Sequence, residues 1–148
     1  MFHRYRYEAE FYPNLSRLPL DLRRKLDVTG IKLRLQDWLK FSLEERSVLC
    51  HLPCENDEEC QVFTNFLDFL SRKYCGAPIE LIEPIDHALW GRSALPQAVA
   101  EKSAALGRVV TLDQWRYWQS HDRYALYKTA VSKKQPEAFE QVLSQLLR

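Results

Sequence analysis

Glycine is scarce in this sequence, four residues in 148, and none lies in a glycine-rich run. Phosphate-cradling loops and dinucleotide folds use clustered glycines to bring the backbone close to the ligand, so a nucleotide-handling fold is not expected. Long apolar runs are also missing. No stretch approaches the roughly 20 residues that cross a bilayer as a helix. The first ten residues are aromatic, basic and acidic by turns, where a secretory leader has an apolar centre. These features predict a cytoplasmic protein. Charge of one sign is not in surplus: 21 Lys and Arg face 20 Asp and Glu, mixed along the chain. A dedicated nucleic-acid or membrane-surface binder usually carries a bulk excess of cations, so both classes are disfavoured, although local basic patches remain compatible with the balance. Four cysteines are too few for the dense framework of a small secreted scaffold, and reduced thiols are the expectation. Internal repeats and low-complexity tracts are absent.

A globular composition remains. Hydrophobic residues make up 46% and charged residues 28% of the chain, and a chain of this length buries roughly 68–70% of its unfolded surface. One domain, residues 1–148, is expected. The seven prolines and the glycines fall between periodic segments and read as punctuation. Arg4 to Phe11 alternates, with Tyr5, Tyr7, Ala9 and Phe11 on one side, which is the period of a half-buried strand. Pro19 suits a first helical turn, Leu22 and Leu26 lie four apart, and Gly30 is placed to close that helix. Ile31, Leu33 and Leu35 alternate again, and fit either pairing with the N-terminal strand or a tight extended loop.

Helix signals strengthen from Ser42, which forms a capping box with Glu45; Pro53 ends that helix. The next segment predicts the central core helix, with Val62, Phe63, Phe66, Leu67, Phe69, Leu70 and Tyr74 on an apolar face. Asp57, Glu58 and Glu59 open it, Arg72 and Lys73 close it, and Gly76 follows, the charge order that the helix dipole favours. Ala77 to Pro84 reads as a loop or short strand. Pro96 opens a helix ended by Gly107. Thr111 and Gln114 form a second capping box ahead of Trp115 and Trp118, and Ser120 is placed to recap a helix through Tyr124 and Ala130. Phe139, Val142, Leu143, Leu146 and Leu147 form a stripe that must be docked. The fold class is mainly α, a compact multi-helix domain with room for a short two-stranded β element near the N-terminus.

Three constellations could carry chemistry. Cys50, Cys54 and Cys60, with His51 among them, could converge on a metal or cluster or form a redox pair, but no second close pair completes a zinc pattern; burial as small apolar groups is the simpler reading. His3, His51, His87 and His121 are scattered, and Asp86–His87 and His121–Asp122 are sequence neighbours that a helix would point apart, so no triad is visible and no enzyme is expected. Tyr5-Arg6-Tyr7 and Trp115-Arg116-Tyr117-Trp118 put rings beside cations, as single-strand nucleic-acid binders do, yet a ring facing the core with its cation outward is the stronger account. Trp38 and Trp90, at segment edges near polar residues, are the candidates for exposed protein-binding anchors.

Taken together, Tyr7-Glu8-Ala9-Glu10-Phe11, Leu18-Pro19-Leu20, Arg24-Lys25-Leu26-Asp27, Gly30-Ile31-Lys32-Leu33, Trp38, Ser42-Leu43-Glu44-Glu45-Arg46, Leu52-Pro53-Cys54, Trp115 and Arg123-Tyr124-Ala125-Leu126-Tyr127-Lys128 resemble the nitrate reductase-associated protein family. The resemblance covers most of the chain, contributing little between Cys60 and Gly107. It implies a non-catalytic accessory role in nitrate assimilation, with no cofactor of its own. The implied protein partner is an assimilatory nitrate reductase, which uses a molybdenum cofactor and an iron–sulfur cluster, or its cofactor-insertion machinery. It carries no catalytic residue over to this chain. A cysteine-based metal or redox carrier, and a regulatory nucleic-acid-binding domain, are the alternatives from other classes.

Overall fold

The computed structural model describes residues 1–148. It is mainly helical, 59% of residues, with eight α-helices and one two-stranded antiparallel sheet. No helix is long and apolar enough to cross a membrane. The packing divides the chain into two units, Met1–Arg4 with Glu8–Ile85, and Tyr5–Tyr7 with Asp86–Arg148.

The first unit holds α1 (Leu20–Thr29), β1 (Ile31–Lys32), α2 (Leu35–Trp38), α3 (Leu43–His51), α4 (Asp57–Cys75) and β2 (Glu80–Leu81). Gly30 caps α1 with φ +71° and donates its N–H to the Leu26 carbonyl. A Cβ there would stand 2.5 Å from the Ile82 carbonyl oxygen, so both the left-handed backbone and the close approach require glycine. Its own carbonyl accepts the Ile82 N–H at 2.8 Å, and beyond it Ile31 pairs with Leu81 and Lys32 with Glu80. The Ser42–Glu45 capping box of α3 is formed in both directions. On α4 the side chain of Asn56 caps the first turn; Phe63, Leu67 and Leu70, spaced i, i+4 and i+7, are its buried stripe, packed with Leu22, Trp38 and Leu49.

The second unit holds a 3-10 turn (His87–Trp90), α5 (Gln97–Ala105), α6 (Leu112–Tyr117), α7 (Ser120–Val131) and α8 (Pro136–Leu146). The Thr111–Gln114 capping box is present. Phe139, Val142 and Leu143 bury the α8 stripe, and α7 packs on both α5 and α8.

Several expectations are corrected. Arg4 to Phe11 is not a strand: Arg6–Glu8 is a 3-10 turn and turns follow. Its buried residues are Tyr5 and Glu8, three apart, the 3-10 period rather than the strand period. Tyr5 donates its hydroxyl to the His121 carbonyl (3.1 Å) and to Asp122 Oδ1 (3.2 Å), anchoring this turn by a polar bond that no hydrophobic pattern records. The partner of Ile31–Lys32 is therefore Glu80–Leu81, and the alternation toward Leu35 stops where α2 begins. Gln119 rather than Ser120 precedes α7, without a side-chain cap. Val62 and Phe69, expected on the core face of α4, are exposed.

Candidate functional site

The tryptophans singled out from sequence are both interior. Trp38 is fully buried on α2 and donates its indole N–H to the Leu15 carbonyl at 2.8 Å. The same carbonyl accepts from Arg46 Nη1 at 3.0 Å, and Leu15 itself holds a left-handed φ of +49°. The strain of that conformation is offset by presenting one oxygen to two donors. Trp90 is 2% exposed and meets Tyr124 edge-on, with ring centroids 4.9 Å apart. Neither ring reaches the surface as an anchor. For Trp38 the polar partner is a backbone carbonyl that folding brings alongside, rather than solvent. The rings that do stand in water are Tyr117 and Phe69, which the sequence assigns to helix faces without distinguishing inside from outside.

The cysteines separate. Cys50 is fully buried in the α3 core stripe, and burial pushes its thiol up to about 12, so it is neither a thiolate nor a ready ligand. Cys54 and Cys60 form a disulfide, with Cα atoms 4.6 Å apart, across the turn between α3 and α4. That corrects the expectation of reduced thiols for this pair: the chain reverses between the two helices and brings positions six apart face to face. Cys75 is a thiol of intermediate exposure at the end of α4. Of the three cysteines that could have converged, Cys54 and Cys60 meet and Cys50 stays apart in the core, and no group of three or more His, Cys, Asp and Glu side chains is arranged to hold a metal ion.

The histidines stay apart. His51 is bound through Nδ1 to the Ser47 carbonyl at 2.8 Å. His121 Nε2 lies 3.6 Å from Asp122 Oδ1, closer than their expected opposite faces allow, and that carboxylate also accepts the Tyr5 hydroxyl. A cleft of about 320 Å³ between α2, the end of α4 and the sheet is lined by Lys32, Arg34, Asp37, Lys40, Cys75 and Glu80 among others. Its charges are mutually paired, Arg34 with Glu80 at 3.1 Å and Lys40 with Asp37 at 3.6 Å, and the Cys75 thiol is shifted up by burial.

A buried polar cluster around Glu8 and Asp21 escapes sequence reading, because each member resembles an ordinary surface charge. Glu8 is 5% exposed, accepts the Leu20 N–H at 3.0 Å and the Tyr12 hydroxyl at 2.8 Å, and so serves α1's first turn, which Pro19 cannot cap. Burial raises it to about 7, only partly offset by those two donors. Asp21 binds Arg24 Nε at 3.0 Å and the His3 N–H at 3.0 Å, and Arg24 also reaches Glu55 at 3.4 Å. The shift of Glu8 is accounted for by its burial among these partners.

A pH prediction follows for Glu8. The unfolded carboxyl ionises near 4.5 and the folded one near 7, so in that window the folded chain binds more protons and stability falls as pH rises. The loss approaches about 3 kcal/mol above pH 7. Glu8→Gln keeps an oxygen acceptor for Leu20, and urea denaturation between pH 4 and pH 8 is expected to lose most of this slope. An unchanged slope would mean that Glu8 is ionised in the folded protein.

Fold and site together define a mainly helical protein whose tryptophans are interior. The chain belongs to the conserved nitrate reductase-associated protein family, whose model matches residues 4–146. The match includes the stretch from Cys60 to Gly107, where the sequence resemblance is weakest. No curated protein and no solved structure matches the chain.

Proposed function

We propose that this is a non-catalytic accessory protein of the cytoplasm that binds a molybdenum-dependent assimilatory nitrate reductase and supports its maturation or activity. The observation that carries the reading is family membership across nearly the whole chain. The exposed aromatic rings of Phe69 and Tyr117 favour a protein-binding role, since such rings are effective contact anchors. The experiment is gene deletion with complementation, assayed by nitrate reductase activity and by metal and cluster content of the purified reductase. Loss of activity with incomplete cofactor loading is expected. Full activity and loading in the deletion strain would refute an accessory role.

The Cys54–Cys60 disulfide favours a second reading, a thiol-based redox carrier. Two electrons and two protons from a dithiol reductant would convert the bond to two thiols, with the reductant oxidised to its own disulfide. Complementation by a Cys54→Ser, Cys60→Ser chain at full activity would dismiss it.

A further inference from the structure

The helices α3 and α4 form a hairpin tied at both ends. Lys73 pairs with Glu45 at 3.4 Å at the open end, and the Cys54–Cys60 disulfide closes the other. These two links set the helices antiparallel and show which of their stripes are neighbours. Val48 lies three residues after Glu45 and Phe69 four before Lys73, so each shares the stripe of the residue that makes the ion pair. Phe66 and Val62 continue the α4 stripe, three and seven residues before Phe69. Val48 is 44%, Val62 55% and Phe69 57% exposed, with Phe66 half-buried beneath them. This is an aligned apolar ridge, unlike the isolated apolar residues that any surface carries.

The ends of the ridge differ in charge. At the open end Lys73 is matched by Glu45, and Arg72 by Asp68 at 2.9 Å. At the closed end Glu55, Asp57 and Glu58 are exposed, with Glu59 beside them; Arg24, the N-terminal ammonium and Lys25 act on Glu55, and no ion pair is made by Asp57, Glu58 or Glu59. The ridge is thus apolar along its length and acidic at the end nearest the disulfide.

We propose that the α3–α4 ridge docks an amphipathic helix of a protein partner, with Lys or Arg at the end that meets the α3–α4 turn. A helix fits because Val62, half-buried Phe66 and Phe69 repeat at i, i+4 and i+7 over about two turns, the spacing that a second helix laid alongside offers in return. A basic end fits because it supplies partners for Asp57 and Glu58, steering the approach and setting direction. The proposal deepens the accessory reading by naming the surface and the chemistry of the partner segment, and it rests on that reading for the partner's being a protein.

The test uses the full chain, labelled with 15N and titrated with an amphipathic helical peptide of Leu and Lys, alongside a peptide of the same pattern in Leu and Glu. Shifts confined to residues around Val48, Val62, Phe66 and Phe69 and to 55–59 are expected, with the Leu/Glu peptide weaker by at least about tenfold. The Val62→Ser, Phe69→Ser chain should lose binding by at least about tenfold with its thermal transition unchanged, because both side chains stand in solvent. Glu58→Lys should weaken the Leu/Lys peptide selectively. Shifts elsewhere, equal affinity for the two peptides, or undiminished binding by the double variant would overturn the proposal. So would a dimer of the free chain that the double variant dissolves, since the occupant would then be a second copy. Capture of purified nitrate reductase separates the two readings. Undiminished capture by the double variant overturns this surface alone, and no capture by the unaltered chain, with peptide binding intact, overturns the accessory reading alone.

Discussion

Lys25→Ala is expected to destabilise the protein by about 3–5 kcal/mol, the range for stripping a buried charged group from its partners. Lys25 is fully buried on α1, and its ammonium donates to the carbonyls of Cys50 (2.6 Å), Leu49 (3.3 Å) and Met1 (3.3 Å). Two of those carbonyls belong to the last turn of α3, where intrahelical donors run out. The residue four beyond Leu49 is Pro53, which has no N–H to give. Lys25 therefore caps a neighbouring helix from the side, and places a positive charge where the helix dipole favours one. Deleting it leaves the carbonyls buried without a donor and opens a cavity. Lys25→Met fills the volume without restoring the donors, so about half the loss should return. Urea denaturation followed by circular dichroism distinguishes the three chains. Burial lowers Lys25 to about 8 from 10.5, so between those values the unfolded chain binds more protons and stability rises with pH. That rise should vanish in Lys25→Met. A Lys25→Ala chain within about 1 kcal/mol of the original would show that water replaces the ammonium at these carbonyls.

Arg123→Ala should cost a similar amount, about 3–5 kcal/mol, with a fall in Tm on the order of 10 °C. Arg123 is 6% exposed near the start of α7. Its Nε donates to the Trp90 carbonyl at 2.8 Å and its Nη1 to the Trp118 carbonyl at the end of α6. The next two carbonyls after Trp90 are taken by side chains of α6: Gly91 by the Trp115 indole N–H at 2.8 Å, and Arg92 by Arg116 Nε at 3.4 Å. Arg123 thus joins the 3-10 turn to the α6–α7 break, and Trp90 lies over Tyr124 because that carbonyl is held. Arg123→Lys is not expected to rescue, since a single ammonium on a flexible stem cannot serve two carbonyls in the fixed geometry of a guanidinium. Amide exchange should quicken across residues 87–123 in both variants. A Lys variant as stable as the original would mean that one of the two bonds contributes nothing.

The same residues explain what was legible beforehand. Helix α4 is read correctly in extent because the acidic first turn, the basic last turn and Gly76 all act within a few residues. Its inner and outer faces are less legible: Val62 and Phe69 look as apolar as Phe63 and Leu70, and only the placement of α1, α2 and α3 decides which side is covered. Helix α7 is the reverse case. It is buried on most sides, at Arg123, Tyr124, Ala125, Leu126, Thr129 and Ala130, so it has little amphipathic period to read, and its central place in the second unit was missed. The disulfide, the strand partner of Ile31 and the interior placement of Trp38 and Trp90 share one cause, since each depends on a residue that folding brings alongside.

From the amino-acid sequence alone came the helical class, the capping boxes at Ser42 and Thr111, the turn at Gly30 and the family, the last now matched over residues 4–146. Caps and turns are decided within about four residues by the backbone's own unsatisfied groups, so local chemistry suffices to write them. Tertiary structure alone decided that Glu8, Lys25 and Arg123 are interior capping groups, that Cys54 meets Cys60, and that Val48, Val62 and Phe69 stand in solvent. A charge or an apolar side chain acquires its role from what lies across from it, and that neighbour is set by packing rather than by distance along the chain.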